Sequence, residues 1–154
     1  MIAIRPATEG DRAFILSLAD RLADFNRPAW RSAREIAEGD RRALAHALDA
    51  PSADNGLFVA LLDAHPAGCL LMWTLEDYFT GEQHAHISVI AVTRTAEGRG
   101  VGRALMDHAE QWARARGHRR MTLSVFESNR RAQKLYEGAG FQVEMRRYTK
   151  QLSE

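Results

Sequence analysis

The apolar positions of the first fifty residues predict one short strand and two helices. Ile2 and Ile4 alternate with Ala3 and Arg5, as large apolar side chains alternate with others in a strand. Two capping-box patterns, Thr8 with Asp11 and Ser32 with Glu35, each precede apolar residues that are spaced for one helical face. Those apolar residues are Ile15, Leu18, Leu22 and Phe25 in the first helix and Ile36, Leu44 and Leu48 in the second.

After a loop, the period of the apolar residues shortens, which predicts strands. Residues 57–62, 69–75 and 86–92 form three predicted strands, joined by turns at residues 65–68 and around Gly81. We expect the first two of these strands to pair as an antiparallel hairpin.

Helices and strands alternate in the last third of the chain. An amphipathic helix is predicted over residues 101–113, and Gly117 occupies the usual place of a helix stop. Residues 121–126 predict a strand, residues 129–137 a short helix and residues 141–148 a final strand. The element order β-α-α-β-β-β-α-β-α-β predicts a mixed α/β domain.

Composition is typical of a single globular domain over residues 1–154. A chain of 154 residues, with 45% hydrophobic and 27% charged residues, can bury a core without metals or disulfides. Cys69 is the only cysteine, which excludes an intrachain disulfide. There is no apolar run of membrane-spanning length and no signal-peptide pattern, so we expect a cytoplasmic protein without a membrane partner.

The net charge of +1 is unevenly distributed. Residues up to 93 contain 8 Lys and Arg against 13 Asp and Glu, whereas residues from 94 onward contain 13 against 7. The basic half suits a polyanionic ligand and the acidic half a cationic one, although chance explains the same counts equally well. The arginines of the basic half lack aromatic residues between them, so nucleic-acid binding is not expected.

A glycine-rich turn, residues 98–102, lies between the strand 86–92 and the helix that begins near Val101. Backbone N–H groups on such a turn point outward and the helix N-terminus adds positive potential, which together predict an anion site. Arg99 and Arg103 flank the turn and can add charge. A P-loop is excluded because Gly-Lys-Ser/Thr is absent, and Arg103 stands where a dinucleotide fingerprint needs its third glycine. A tight loop without a ligand is the alternative.

This segment resembles the acetyl-coenzyme A motif of the GCN5-related N-acetyltransferases (GNAT), which reads Arg or Gln, two residues, Gly, one residue, Gly or Ala. Gly100 and Gly102 match its glycines, whereas Glu97 stands at the Arg/Gln position. The family binds pyrophosphate largely through main-chain amides. A glutamate that points to solvent is therefore tolerable at this position, and the motif assigns its side chain no role.

Residues 129–141 resemble the later signature of the same family, which reads Asn, two residues, Ala, three residues, Tyr, three residues, Gly-Phe. All of its anchor positions are filled, and Ala132 and Tyr136 lie four residues apart on one helical face. A helix cap for Asn129 and a half-buried tyrosine at position 136 are the alternative roles. The anchors are Asn129, Ala132, Tyr136, Gly140 and Phe141.

The resemblance implies a mixed α/β fold with a central, mostly antiparallel, twisted sheet, flanked by helices and splayed where acetyl-CoA binds. It implies an N-acetyltransferase that moves an acetyl group from acetyl-CoA to a primary amine of a small molecule or protein by direct attack, with no metal. Tyr136 would be the general acid that protonates the leaving thiolate, and a homodimer is one expected state. The implied coenzyme-binding residues are Ile90, Ala91, Val92, Glu97, Gly98, Arg99, Gly100, Val101, Gly102, Arg103, Asn129, Ala132 and Tyr136.

The general base is open at this stage. Many family members carry a glutamate near the middle of the strand before the glycine turn, whereas residues 87–90 contain no carboxylate. The candidates are His86, with His84 on the same strand face, and Glu76 or Asp77. A water chain is equally possible. A non-catalytic acyl-CoA-binding module with the same fold is the alternative function.

The amine acceptor is expected near the first two helices and the strand and turn that follow them, as the resemblance implies. The acidic bias of this half of the chain suits a cationic amine. Many of the candidate side chains there are aromatic and suit a core equally well. The candidates are Phe25, Asn26, Trp30, Trp73, Glu76, Asp77, Tyr78 and Phe79.

Overall fold

The computed structural model describes residues 1–153 and contains one five-stranded sheet in the order β1-β2-β3-β4-β5. The first four strands pair antiparallel, and β5 pairs parallel with β4. The strands are β1 Ile2–Pro6, β2 Asn55–Leu62, β3 His65–Glu76, β4 Gln83–Val92 and β5 Met121–Leu123. This mostly antiparallel sheet agrees with the predicted fold class.

Four α-helices flank the sheet, and both predicted capping boxes are present. The Ser32 hydroxyl accepts from the Glu35 N–H at 3.0 Å, and the Glu35 carboxylate accepts from the Ser32 N–H at 3.1 Å. The first predicted helix is partly wrong, since its α-helical turns give way to a 3₁₀ helix at Leu18–Ala23. The α-helices are α1 Arg12–Ser17, α2 Ala33–Asp49, α3 Val101–Ala115 and α4 Arg130–Gly138.

The hairpin between β2 and β3 turns earlier than predicted. Asp63 and Ala64 both have positive φ, 49° and 69°, as a two-residue turn with the twist of a hairpin requires. β3 therefore begins at His65, and Pro66 lies inside it beside a register shift between Ala60 and Leu61. Proline has no N–H for the ladder, so such an irregularity is where a strand tolerates it.

The predicted strand at residues 141–148 is wrong, because no strand occurs among residues 141–153 of the described chain. Phe141 packs against the core, whereas Val143 and Met145 are 76% and 68% exposed. Alternation specifies which side chains could share a face, but a strand also needs a paired neighbour. β5 is the edge of the sheet and has only three residues, fewer than the predicted 121–126.

Each face of the sheet has its own buried cluster. The α3 side contains Leu70, Met72 and Leu105, and Tyr136 and Phe141 pack at its margin. The α1–α2 side contains Ile15, Leu44, Val59 and Cys69, with Trp73 at its margin. The sheet thus separates two layers, and the site described below lies where β4 meets both.

Gly68 in β3 permits the close approach of β4 and α3. A Cβ at this position would lie 2.6 Å from the Ala91 carbonyl oxygen and 3.2 Å from the Leu105 side chain. Since a backbone oxygen cannot move aside, we expect Gly68→Ala to destabilise the fold by about 3 kcal/mol, as overpacking does. Urea denaturation measures this loss.

Gly39→Ala is the matched control for that substitution. Gly39 lies inside α2, and the nearest neighbour of its Cβ would be an Arg42 nitrogen at 4.0 Å. Because alanine favours helix over glycine by about 1 kcal/mol, this variant should be as stable as the parent or more so. Equal stability of the Gly68→Ala variant and the parent would contradict the packing described here.

Candidate active site

The glycine turn connects β4 to α3 in a backbone conformation that favours glycine. Gly98 and Gly100 have φ of 73° and 88°, in the left-handed region. A Cβ on Gly98 would meet no atom within 4 Å. The surface beside this turn is therefore open to a ligand that approaches the backbone closely.

Five backbone N–H groups at this turn have no acceptor among the described residues. The first turn of any helix leaves N–H groups without partners, and α3 adds the positive end of its dipole. Val101 contributes only its backbone, because its side chain is buried in the α3-side cluster. Such an array fits a pyrophosphate, which accepts several hydrogen bonds at once. The five groups belong to Gly98, Gly100, Val101, Gly102 and Arg103.

Glu97 binds two arginines and does not extend freely into solvent. Its Oε1 atom accepts hydrogen bonds from the guanidinium of Arg21 and, at 3.3 Å, from Arg131. Arg21 follows α1 and Arg131 lies in α4, so Glu97 joins both flanking segments to the glycine turn. The hydrogen bond from Arg21 is the main reason that the Glu97 pKa is lowered.

Further arginine contacts surround the turn. Arg21 also reaches the Val92 carbonyl at 3.4 Å and the Asp24 carboxylate at 2.8 Å, and Arg94 bonds the same carboxylate at 2.8 Å. Arg99 lies 3.8 Å from Asp63 and is more than half exposed. Three arginines thus lie near the turn, each paired with a carboxylate of Asp24, Asp63 or Glu97.

The later motif forms α4 and its cap. Asn129 Oδ1 accepts from the Ala132 N–H at 3.3 Å, which makes Asn129 the helix N-cap. Arg131, between these two residues, contacts Glu97, so α4 lies beside the glycine turn. The structure therefore brings the two sequence motifs together.

Tyr136 lies half-buried at the margin of the α3-side cluster. Its ring meets Phe141 edge to face, with a centroid distance of 6.2 Å. Burial raises the pKa of the Tyr136 hydroxyl above its ordinary value of 10.0. The phenol therefore keeps its proton at neutral pH, as a proton donor must.

β4 and β5 separate beyond Ile87. The two strands pair only over Ala85–Ile87 and Met121–Leu123, whereas β4 continues to Val92. The register between β3 and β4 also skips Ser88, which is a bulge. The edge of β4 over residues 88–92, including predicted Ile90, Ala91 and Val92, thus has no strand partner on the β5 side. An extended ligand can pair with such an edge.

Thr122 joins the two histidines of β4. Its Oγ1 lies 2.8 Å from His86 Nδ1 and 3.0 Å from His84 Nε2. His84 is buried and lines a cavity of about 140 Å³ together with Asp77 and Arg120. Burial, and to a lesser degree His84, lowers the His86 pKa from 6.5, which favours the neutral ring.

The carboxylate candidates are placed less well for proton transfer. Asp77 Oδ1 accepts from the backbone N–H groups of Phe79 and Thr80, both at 2.9 Å, and these bonds contribute to a lowered pKa. A carboxylate held in its charged form by such bonds is a weak base. Glu76 is exposed at the end of β3 and makes no hydrogen bond with a described side chain.

The predicted acceptor residues do not form one cluster. Phe25 contacts Phe126 with the rings tilted by 33° and their centroids 5.1 Å apart, which links the segment after α1 to the chain beyond β5. Trp73 stacks on His46 of α2, whereas Tyr78 and Phe79 are exposed and contact each other.

Cys69 is excluded as a nucleophile. It is fully buried in the α1–α2 cluster, and burial raises its pKa to about 12. The thiolate, which is the reactive form, is therefore scarce at neutral pH. Among residues 1–153, no group of three or more His, Cys, Asp or Glu side chains lies close enough to bind a metal, and no helix is long and apolar enough to cross a membrane.

Sequence reasoning missed Arg21 and Thr122. Arg21 precedes its partner Glu97 by 76 residues, and no local pattern links them. The alternation of β5 indicates on which face of the sheet Thr122 lies. Only the parallel register with β4 shows that Thr122 lies opposite His86.

Known proteins share this fold and these motifs. A family model described as the acetyltransferase (GNAT) family matches residues 15–141. A mycothiol acetyltransferase from Beutenbergia cavernae is 48% identical over 77 residues, which cover 48% of this chain but only 25% of that protein. This chain therefore corresponds to a limited part of that relative.

Two solved structures cover nearly the whole chain. A putative acetyl transferase from Pyrococcus furiosus has a TM-score of 0.77 at 26% identity, covering 99% of this chain and 100% of that one. AAC(6')-Iy, solved with the bisubstrate analogue CoA-S-monomethyl-acetylneamine, has a TM-score of 0.72 at 19% identity and covers 99% of each chain. With the family match over most of its length, this chain belongs to the GNAT family of acetyltransferases.

Proposed function

We propose that this protein transfers an acetyl group from acetyl-CoA to a primary amine. The observation that carries the proposal is the set of five unpaired backbone N–H groups at the glycine turn, beside the unpaired edge of β4. The turn suits the pyrophosphate, and the edge over residues 88–92 suits the extended pantetheine arm, whose amides can pair with a strand. When bound, acetyl-CoA supplies the acetyl group as a thioester.

Tyr136 and His86 are the proposed proton donor and acceptor. In direct transfer, the amine nitrogen bonds to the carbonyl carbon while the bond from carbon to sulfur breaks. His86 takes one proton from the ammonium group and passes it to solvent. The Tyr136 hydroxyl gives its proton to the sulfur, and the phenolate regains a proton from the nitrogen as the amide forms. Backbone N–H groups at the Ser88 bulge would stabilise the developing negative charge on the carbonyl oxygen.

A base is needed because the acceptor arrives charged. An amine with a pKa of about 10.4 is neutral in only a few molecules per ten thousand at pH 7. Among the candidates, His86 has a ring nitrogen, Nε2, without a hydrogen-bond partner among the described residues and a pKa lowered by burial. Its neutral form is therefore ready to accept a proton.

Thr122 sets the tautomer that His86 needs. The hydroxyl has one hydrogen, so it can donate to one histidine only and must accept from the other. If it donates to His84 Nε2, it accepts from His86 Nδ1–H and leaves His86 Nε2 free as the base. We propose this arrangement for the active state.

The acceptor is proposed to be an amine of a small molecule or of a protein. AAC(6')-Iy binds an analogue that joins CoA to acetylneamine, and the curated relative bears the name mycothiol acetyltransferase. Small-molecule amines are therefore the first acceptors to test. We further propose that residues 1–154 act as one acetyltransferase domain, with Phe25 and Trp73 among the acceptor contacts.

A thiol-release assay tests the function. The protein is incubated with acetyl-CoA and a panel of aminoglycosides, amino sugars, polyamines and peptide amines, and free CoA thiol is measured. We expect release that depends on at least one amine, together with acetyl-CoA binding by calorimetry. Binding without release across the panel would favour the non-catalytic acyl-CoA-binding module, and absence of binding would overturn both.

A further inference from the structure

The group formed by Arg21, Glu97 and Arg131 is an unusual feature of the coenzyme site. Glu97 places a carboxylate directly before Gly98, at a turn whose free N–H groups suit an anion. A lone carboxylate there would repel pyrophosphate. Two arginines bind the carboxylate, and Arg21 also pairs with Asp24, which binds Arg94 in turn. The connected group of three arginines and two carboxylates carries one net positive charge.

The positions of the Arg21 and Arg131 guanidiniums depend on Glu97 to different degrees. Arg21 has further contacts with Asp24 and the Val92 carbonyl, so it keeps its position without Glu97. Arg131 is 79% exposed, and Glu97 is the only described residue that forms an ion pair with it. Both guanidiniums bond the same oxygen, Oε1, which holds two like charges close together. Without the carboxylate they would repel each other, and Arg131 would move away.

We propose that Glu97 is a positioning residue that holds Arg131 beside Arg21 at the glycine turn, where both guanidiniums serve as contacts for the phosphates of CoA. Each guanidinium has five N–H donors and uses only some of them on carboxylates, so donors are left for phosphate oxygens. The carboxylate thus promotes anion binding through its neighbours although its own charge opposes it. This inference rests on the proposed function, since it concerns the same coenzyme.

Glu97→Gln tests the proposal because charge repulsion by the carboxylate and positioning by the carboxylate change the affinity for CoA in opposite directions. Direct charge repulsion predicts that removing the carboxylate tightens CoA binding. Positioning predicts roughly tenfold weaker binding, about the worth of one charge-assisted hydrogen bond. The dissociation constant is measured by calorimetry for the full chain, and KM for acetyl-CoA should rise while kcat stays within about twofold of the parent.

Three further measurements separate positioning from a general structural effect. Glu110→Gln removes a carboxylate that pairs with Arg114 farther along α3, and it should leave CoA binding unchanged. Acetyl-pantetheine lacks the nucleotide part of CoA, including its phosphates. The parent and Glu97→Gln proteins should therefore use it equally well as the acetyl donor. Arg131→Gln should weaken CoA binding in the parent but add little in the Glu97→Gln background, since the two residues act as one unit.

The outcomes are distinct. A Glu97→Gln protein that binds CoA as tightly as the parent, or more tightly, overturns the positioning role and leaves the acetyltransferase proposal standing. Equal losses with CoA and acetyl-pantetheine also overturn it, because they show a general defect of the site. A parent protein that does not bind CoA overturns the proposed function and this inference together.

Discussion

Tyr136→Phe is expected to lower kcat for amine acetylation about 100-fold, since a positioned general acid contributes at least that factor. Phenylalanine keeps the ring that packs against the α3-side cluster and Phe141, so folding and CoA binding should be retained. The substitution removes only the hydroxyl that is proposed to protonate the departing sulfur. Steady-state kinetics and calorimetric CoA binding together separate chemistry from binding.

The pH profile gives this prediction a second readout. Burial raises the Tyr136 pKa above its ordinary value of 10.0, so the phenol is protonated at neutral pH. The midpoint of a fall in kcat that this group causes therefore lies above pH 10 in the parent, and the fall is absent in the Phe variant. Tyr148→Phe is the control, since Tyr148 is 86% exposed and its hydroxyl has no proposed role. Full activity of Tyr136→Phe across the pH range would remove Tyr136 from the mechanism.

His86→Gln is expected to lower kcat/KM about 100-fold, the lower range for a lost general base. The acid limb of kcat/KM reports the base in the free enzyme. The base is active when neutral, so activity rises as the pH rises through the folded pKa of His86. Burial lowers that pKa, so the limb lies below pH 6.5. Dividing the parent rate by the variant rate at each pH cancels the titration of the amine.

Thr122 variants show whether the hydrogen-bond chain matters to this base. Thr122→Val keeps the shape but leaves His86 Nδ1 and His84 Nε2 without their shared partner, and a loss of about tenfold is expected from the disturbed tautomer. Thr122→Ser keeps the hydroxyl and should retain most of the activity. His65→Gln, in the exposed start of β3, is the matched control. A His86→Gln protein with the parent profile would direct attention to Glu76 or to water.

Local signals in the sequence predicted local structure well. The Ser32 capping box, the glycine turn and the Asn129 cap each depend on residues within a few positions of one another, and all three are present. The same holds for the family motifs, whose anchor residues lie within single segments. A pattern of this kind can be recognised because the backbone geometry that it serves is also local.

The failures of prediction concern partners that are distant in the chain. The alternating residues 141–148 predicted a strand, but pairing depends on β5, which ends at Leu123. The two partners of Glu97 are likewise distant in the chain, and no residue near it in sequence indicates them. Its partner Arg21 lies in the segment after α1, and its partner Arg131 lies in α4.

The sequence by itself determined the mixed α/β class, the glycine turn and the family, because these follow from periodicity and from short motifs. Only the tertiary structure decided which groups act on one another: Thr122 between His84 and His86, and Glu97 between Arg21 and Arg131. Hydrogen bonds act over about 3 Å, and strand register and helix packing set which distant residues come that close. Protonation and charge at the site therefore follow from the fold.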